Sequence, residues 1–183
     1  MKLDVLSPLP SPTPPWYADG LRFTCTQCGN CCTGNPGFVW ITKEEIVALA
    51  KLLELTPEET VEQYCHKVDG RFSLRERRNA QGQYDCIFLR DERARSGESD
   101  AGGDGGDADG NRITQTRRVC GVYAARPLQC RTWPFWPGNL ASEEQWNAAA
   151  VRCHGMNRGR KFSSEEIAKI EDAEEWPERP PTS

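Results

Sequence analysis

The sequence predicts an α+β fold: a small, irregular, metal-braced domain with a short antiparallel hairpin and several short helices. Helix-start signatures recur along the chain, and short runs of strand-forming residues fall between them. Nine cysteines accompany a hydrophobic fraction of only 37%. The length of 183 residues, with 27 acidic side chains against 23 basic ones, fits one domain with tails and excludes a large multidomain enzyme. No apolar run approaches the ~20 residues needed to span a bilayer, so no membrane partner is expected. A chain this short keeps much of its surface exposed, and its core needs a brace.

Residues 1–20 read as a Pro-rich disordered tail. They carry one early lysine, Lys2, no continuous apolar stretch and five prolines between Pro8 and Pro15, which is not a secretory pattern. The expected location is therefore cytoplasmic, where thiols stay reduced and dense cysteine points to metal binding or catalysis rather than cross-linking. The cysteine-bearing domain is expected over residues 21–176, with a second tail at 177–183. Charge is uneven: Asp91 to Arg112 is net −4, Phe162 to Ser183 is net −5, and the remainder is net +5. Residues 93–116 contain a Gly/Asp-rich stretch, Ser96 to Asp107, with no apolar side chain larger than that of alanine to offset the entropy of ordering, and read as a flexible acidic insertion. The ligand order of an EF-hand is absent from it.

Helix starts are written clearly. Thr42-Lys43-Glu44-Glu45 is a capping box followed by Ile46, Leu49, Ala50 and Leu53 on one face. Thr56-Pro57-Glu58-Glu59 repeats it, with Val61, Tyr64 and Cys65 on the helix that follows. Ser163-Ser164-Glu165-Glu166 opens a third helix carrying Ile167 and Ile170, and a weaker signal at Ser142 precedes Trp146. Strands are expected at Phe72 to Arg75, Tyr84 to Leu89 and Arg118 to Tyr123. Asn79 to Gly82 is the turn between the first two, and the insertion is a long hairpin loop between the last two.

Cys25-x2-Cys28-x2-Cys31-Cys32 is the densest feature of the chain. Two residues between thiolates let a tight turn bring both sulfurs to one metal, and Gly29 gives that turn backbone freedom. A redox Cys-x-x-Cys normally opens a helix after a strand, a context these residues lack. Cys86 sits in a strand, Cys120 in the facing strand, Cys130 about one turn after Pro127, and Cys153 before the turn-like His154-Gly155. With the cluster they make eight candidate metal ligands, enough for two four-thiolate sets. Adjacent side chains in an extended turn point apart, so Cys25, Cys28 and Cys31 are expected to share one site and Cys32 to join a second. Cys65 reads as a core contact.

Arginine supports the same reading. A four-thiolate zinc site or an oxidised cubane carries about −2 of charge, and cations beside it are stabilising. Arg117, Arg118, Arg126, Arg131 and Arg152 all lie within a few residues of a candidate ligand. No finger spacing, helix-turn-helix or RNP pattern accompanies them, so nucleic acid is not the expected partner. The run Trp133-Pro134-Phe135-Trp136-Pro137 reads as core packing and loop rigidity. His66 and His154 each adjoin a cysteine, but adjacency in sequence does not make a catalytic dyad.

The order Cys-x2-Cys-x2-Cys-Cys, Cys86-Ile87-Phe88-Leu89, and then Cys120-Gly121-Val122-Tyr123 through Arg126-Pro127-Leu128-Gln129-Cys130-Arg131-Thr132-Trp133-Pro134-Phe135 resembles the YkgJ-type cysteine-cluster family. The resemblance spans about Leu21 to Ile170 and implies a zinc- or iron-chelating domain. The chain departs from the family in its acidic insertion and in having His154 after Cys153, where proline is more usual. A flagellin lysine methylase has a similar cysteine cluster, yet no S-adenosylmethionine fingerprint is evident here. Two functions follow as expectations. One is a mainly structural or accessory protein holding zinc or iron through Cys25, Cys28, Cys31, Cys32, Cys86, Cys120, Cys130 and Cys153. The other is an iron–sulfur enzyme with a 4Fe–4S cubane at the Cys-x2-Cys-x2-Cys segment. Thiolate serves both metals, so spacing alone does not choose between them.

Overall fold

Among the described residues, helices and antiparallel strands come in successive runs that make an α+β arrangement, with the strands in four small sheets. The computed structural model describes residues 14–93 and 116–173. Residues 1–13, most of the acidic insertion and the expected tail at 177–183 lie outside the described residues. Residues 14–20, assigned above to a tail, are docked instead. The Trp16 indole donates to the Leu140 carbonyl at 2.7 Å and its ring lies 6.4 Å from Trp146. Two large aromatics, Trp16 and Tyr17, give this proline-bounded segment apolar surface to bury.

Strand β1 (Leu21–Phe23) leads into the cysteine turn and pairs with β10 (Arg160–Phe162). The turn passes through a 3-10 segment, Asn30–Cys32, into β2 (Thr33–Gly34). Next come β3 (Trp40–Ile41), α1 (Lys43–Leu53), α2 (Pro57–Tyr64), β4 (Cys65–Val68) and β5 (Arg71–Leu74). Both capping boxes form as the sequence predicts, and α1 buries Ile46, Leu49 and Ala50 on one face. Cys65 lies one residue beyond α2, where it opens β4. It is buried in the core as expected.

The predicted strand 84–89 is two strands. β7 (Tyr84–Cys86) joins β2 and β6 (Glu76–Arg78), whereas β8 (Leu89–Arg93) pairs with β9 (Thr116–Cys120). The chain changes sheets at Ile87 and Phe88, where the Ile87 N–H donates to the Arg75 carbonyl and Phe88 turns into the core. The turn at Asn79 to Gly82 therefore joins β6 to β7, and Asn79 Oδ1 accepts from the backbone N–H groups of Gln81 and Gln83. The β8–β9 pair is a hairpin around the insertion, but it is made of residues 89–93 and 116–120 rather than 84–89 and 118–123, so Cys86 and Cys120 lie in different sheets and not in facing strands. After it the chain makes a 3-10 turn, Tyr123–Ala125, then α3 (Leu128–Thr132), α4 (Pro137–Leu140), α5 (Glu143–Arg152), β10 and α6 (Ser164–Asp172). Among the described residues, no helix is long and apolar enough to cross a membrane.

Two apolar clusters form the core. The first gathers Ile41, Ile46, Leu49, Cys65, Leu74, Phe88 and Val122. The second gathers Leu21, Phe135, Leu140, Trp146, Met156 and Ile167. The cysteine turn begins where β1 meets the segment after α5. Thr24 N–H donates to the Gly155 carbonyl, and a Cβ on Gly155 would stand 1.8 Å from the Thr24 oxygen.

Candidate metal centre

Four segments bring thiols to one place. The cysteine turn is shaped first by Gly29, whose φ of 70° and buried position leave no room for a side chain. A Cβ there would meet Leu89 Cδ1 at 2.8 Å. Gly29 accepts from Cys32 N–H, closing the 3-10 turn. Asn30 fixes the outside of that turn: its amide donates to the Arg152 carbonyl at 2.9 Å and accepts from Arg118 at 3.0 Å. Arg117 reaches back to the Thr26 carbonyl at 3.2 Å and Arg152 to the Thr33 carbonyl at 2.7 Å.

The other thiols arrive through tertiary pairing. Thr33 pairs with Asp85, whose carboxylate accepts from the Thr33 hydroxyl and from Asn79, and this sets Cys86 beside the turn. Leu89 pairs with Cys120 across the β8–β9 hairpin. Cys130 sits in α3, whose N-terminus is held by a residue already engaged elsewhere. Glu45 completes the α1 capping box with one carboxylate oxygen and accepts from Leu128 N–H at 2.6 Å with the other. Gln129 then ties α3 to the Phe38 and Trp40 backbone. Nothing local in the sequence marks Glu45 or Gln129 for this work.

The result is a cavity of about 40 Å³ bordered by Cys25, Cys31, Cys32, Cys86, Cys120 and Cys130. Leu74, Phe88 and Val122 of the first core form its apolar wall. Cys28 and Cys153, the other two candidates, do not border it. Cys28 is half-buried within the turn, and Cys153 packs against the second core, its sulfur accepting the Trp133 indole N–H at 3.3 Å. His154 is exposed, and His66 lies against the Phe38 ring. Among the described residues, no group of three or more His, Cys, Asp or Glu side chains already forms a metal cage.

Cys31 and Cys32 do not point apart as an extended turn predicts. Their sulfurs lie 3.8 Å from one another and border the same cavity. The reason is the 3-10 turn, in which successive side chains are separated by about 120° rather than alternating across a strand.

Electrostatics follow from crowding. Hydrogen bonding from Cys32 lowers Cys31 to about 7, with Arg126 assisting, and the same contact pushes Cys32 upward. Burial raises Cys86 to about 11, and burial followed by the neighbouring Cys86 raises Cys130. Burial also raises Cys120. Arg126 is the arginine, among the five named from sequence, that borders the cavity. Its guanidinium carbon lies 3.7 Å from the Tyr123 ring centre, and its Nε is buried without a hydrogen-bond partner among the described residues. Tyr123, a member of the Cys120 to Phe135 run with no role assigned to it above, shares a hydrogen bond with Cys25.

No family model matches the chain, and no solved structure matches it. Over 119 residues, 65% of its length, the chain is 24% identical to the Uncharacterized protein MJ0661 of Methanocaldococcus jannaschii. The aligned residues cover 48% of that relative, so the chain spans about half of its length.

Proposed function

We propose that this is a metal-binding cysteine-cluster protein of the YkgJ type, holding zinc or iron through thiolates in a mainly structural or accessory role. The observation that carries the reading is the single cavity bordered by Cys25, Cys31, Cys32, Cys86, Cys120 and Cys130. Soft thiolates suit zinc and iron, and Arg126 offers positive charge at the same wall, with one N–H unsatisfied among the described residues. The sulfurs must draw inward to bind, since no cage is already formed among the described residues. The metal would join the turn, the β8–β9 hairpin, β7 and α3, contributing binding free energy to folding.

The proposed occupant is a chelated ion, with an iron–sulfur cubane on the same thiols as its alternative. Anaerobic purification followed by metal analysis and a visible spectrum tests this. Stoichiometric zinc in a colourless protein, or iron without sulfide, supports a chelated ion. Iron with matching inorganic sulfide and a broad visible absorption overturns it in favour of an iron–sulfur protein.

A further inference from the structure

A second, larger cavity adjoins the cysteine turn. Its volume is about 290 Å³, near the lower end of the range for small-ligand sites, about 300 Å³. One wall is a face of α5, where Gln145, Ala148, Ala149 and Arg152 recur at helical spacing. The two alanines leave a trough between two long polar side chains, which the helical rise sets about 10 Å apart. The facing wall holds Trp133 and Trp136, edge to face with ring centres 4.9 Å apart. Both indole N–H groups are already engaged, Trp133 with Cys153 and Trp136 with the Gln129 carbonyl at 2.9 Å. The rings therefore offer hydrocarbon surface to an occupant.

Asn30, Thr33, Asn139, Gln145 and Arg152 supply the polar side chains of the lining, and Arg152 is its one charged group. Arg152 gives one guanidinium nitrogen to the Thr33 carbonyl. It makes no ion pair among the described residues, where the pairs are Arg131–Glu45 and Arg160–Glu166. Both terminal guanidinium nitrogens pass over Gly34, 3.0 and 3.3 Å from where a Cβ would stand, and Arg152 borders the pocket together with Cys31. A fork of parallel N–H groups matches a carboxylate, and one cation balances one negative charge, whereas a phosphate carries nearly two. At the other end the Gln145 amide can accept or donate to a neutral polar group.

We propose that this pocket binds a small organic carboxylate with a flat apolar body, its carboxylate on Arg152 and its body between the α5 alanines and the two indoles. The pocket adjoins the proposed metal cavity and shares Cys31 with it, but neither Arg152 nor Ala148 nor either tryptophan is offered as a ligand there. Calorimetric titration of the full chain with phenylacetate, phenylacetamide and inorganic phosphate tests it. Saturable binding of phenylacetate is expected, with phenylacetamide and phosphate at least about tenfold weaker, as befits loss of a charged hydrogen bond. Ala148→Leu should fill the trough and abolish binding while thermal unfolding and metal per chain stay at wild-type values. Arg152→Gln should weaken phenylacetate at least about tenfold and leave phenylacetamide unchanged. Equal binding of acid and amide, or of phosphate and acid, overturns the proposal. So does wild-type affinity in Ala148→Leu, or no saturation up to about 10 mM, beyond the millimolar range of weak specific binding.

Discussion

The two apolar clusters treat cysteine in opposite ways. In the second, aromatic rings fill the volume: Phe135 stacks on Trp146 at 5.8 Å, meets Phe162 at 4.8 Å and meets Phe23 edge-on at 6.0 Å. Cys153 packs there, and its sulfur accepts an indole N–H. The first cluster is built mainly from aliphatic side chains on α1 and short strands, and at one side its apolar wall gives way to six thiols. Rings of this size close a core without help, because each buries a large area and packs edge-on or offset. Short aliphatic strands leave a gap. On the proposed function, metal completes the first cluster and leaves the second alone.

The sharpest way to break that contrast is to remove one thiol from each side. Cys130→Ser is expected to lose metal or fail to fold, because a buried site would be left short of a ligand. Cys153→Ser should keep wild-type metal content. The second result separates the cavity-lining cysteines from the eight that the family resemblance implies. Metal per folded chain, measured for both variants, decides it, and loss in Cys153→Ser alone would reverse the assignment.

Large-to-small changes in the two cores come next. Phe88→Ala and Trp146→Ala each remove a buried ring and should cost about 3–5 kcal/mol in urea unfolding. They should differ in metal content, since Phe88 is a wall of the cysteine cavity and Trp146 is not. Reduced metal per folded chain is expected for Phe88→Ala only.

Cys65 probes the first core without touching the proposed ligand set. Burial raises its thiol from 9.0 to about 11. The folded state therefore favours the protonated form more than the unfolded state does. Its contribution is complete below pH 9.0 and is lost as pH rises to about 11. Cys65→Ala should flatten the fall in stability over that interval relative to wild type, as read from urea midpoints at successive pH values, and retain metal. An identical slope in both proteins would mean that other thiols govern the alkaline limb.

The smallest expected effect lies at the start of α5. Ser142 accepts from Gln145 N–H, and Ser142→Ala should cost about 1 kcal/mol. Metal content should be unaffected, and a shift in denaturation midpoint measures the change.

What could be read from the sequence divides along the same line between local and distant interactions. The capping boxes at Thr42, Thr56 and Ser163 all form, because each is complete within four residues and needs no partner elsewhere. The buried positions Ile46, Leu49 and Ile167 follow from helical period alone. The split of residues 84–89 into two sheets was not legible. Residues 84–89 satisfy one strand pattern, with Cys86 on the face opposite Ile87 and Leu89, and only the positions of Arg75 and Gly121 dictate that pairing changes at Phe88. The cysteine turn shows the same limit. Spacing marked its thiols as a set, but the 3-10 geometry that turns Cys31 and Cys32 to one side depends on contacts from Arg118 and Arg152, about 90 and 120 residues away. The double use of Glu45 likewise required the fold, since its helix-capping role is local and its grip on α3 is not.

The close approach of Gly155 to Thr24 has a consequence for mutational tolerance. Any side chain at position 155 must displace the backbone one residue before Cys25, because even a methyl carbon would stand 1.8 Å from the Thr24 oxygen. The position carries no side chain for chemistry and borders neither cavity described above. It nevertheless dictates where the cysteine turn begins. In a saturation scan read out by folded protein, Gly155 should tolerate as few replacements as a buried core residue. A silent spacer of this kind restricts sequence drift by the room it leaves for a neighbour.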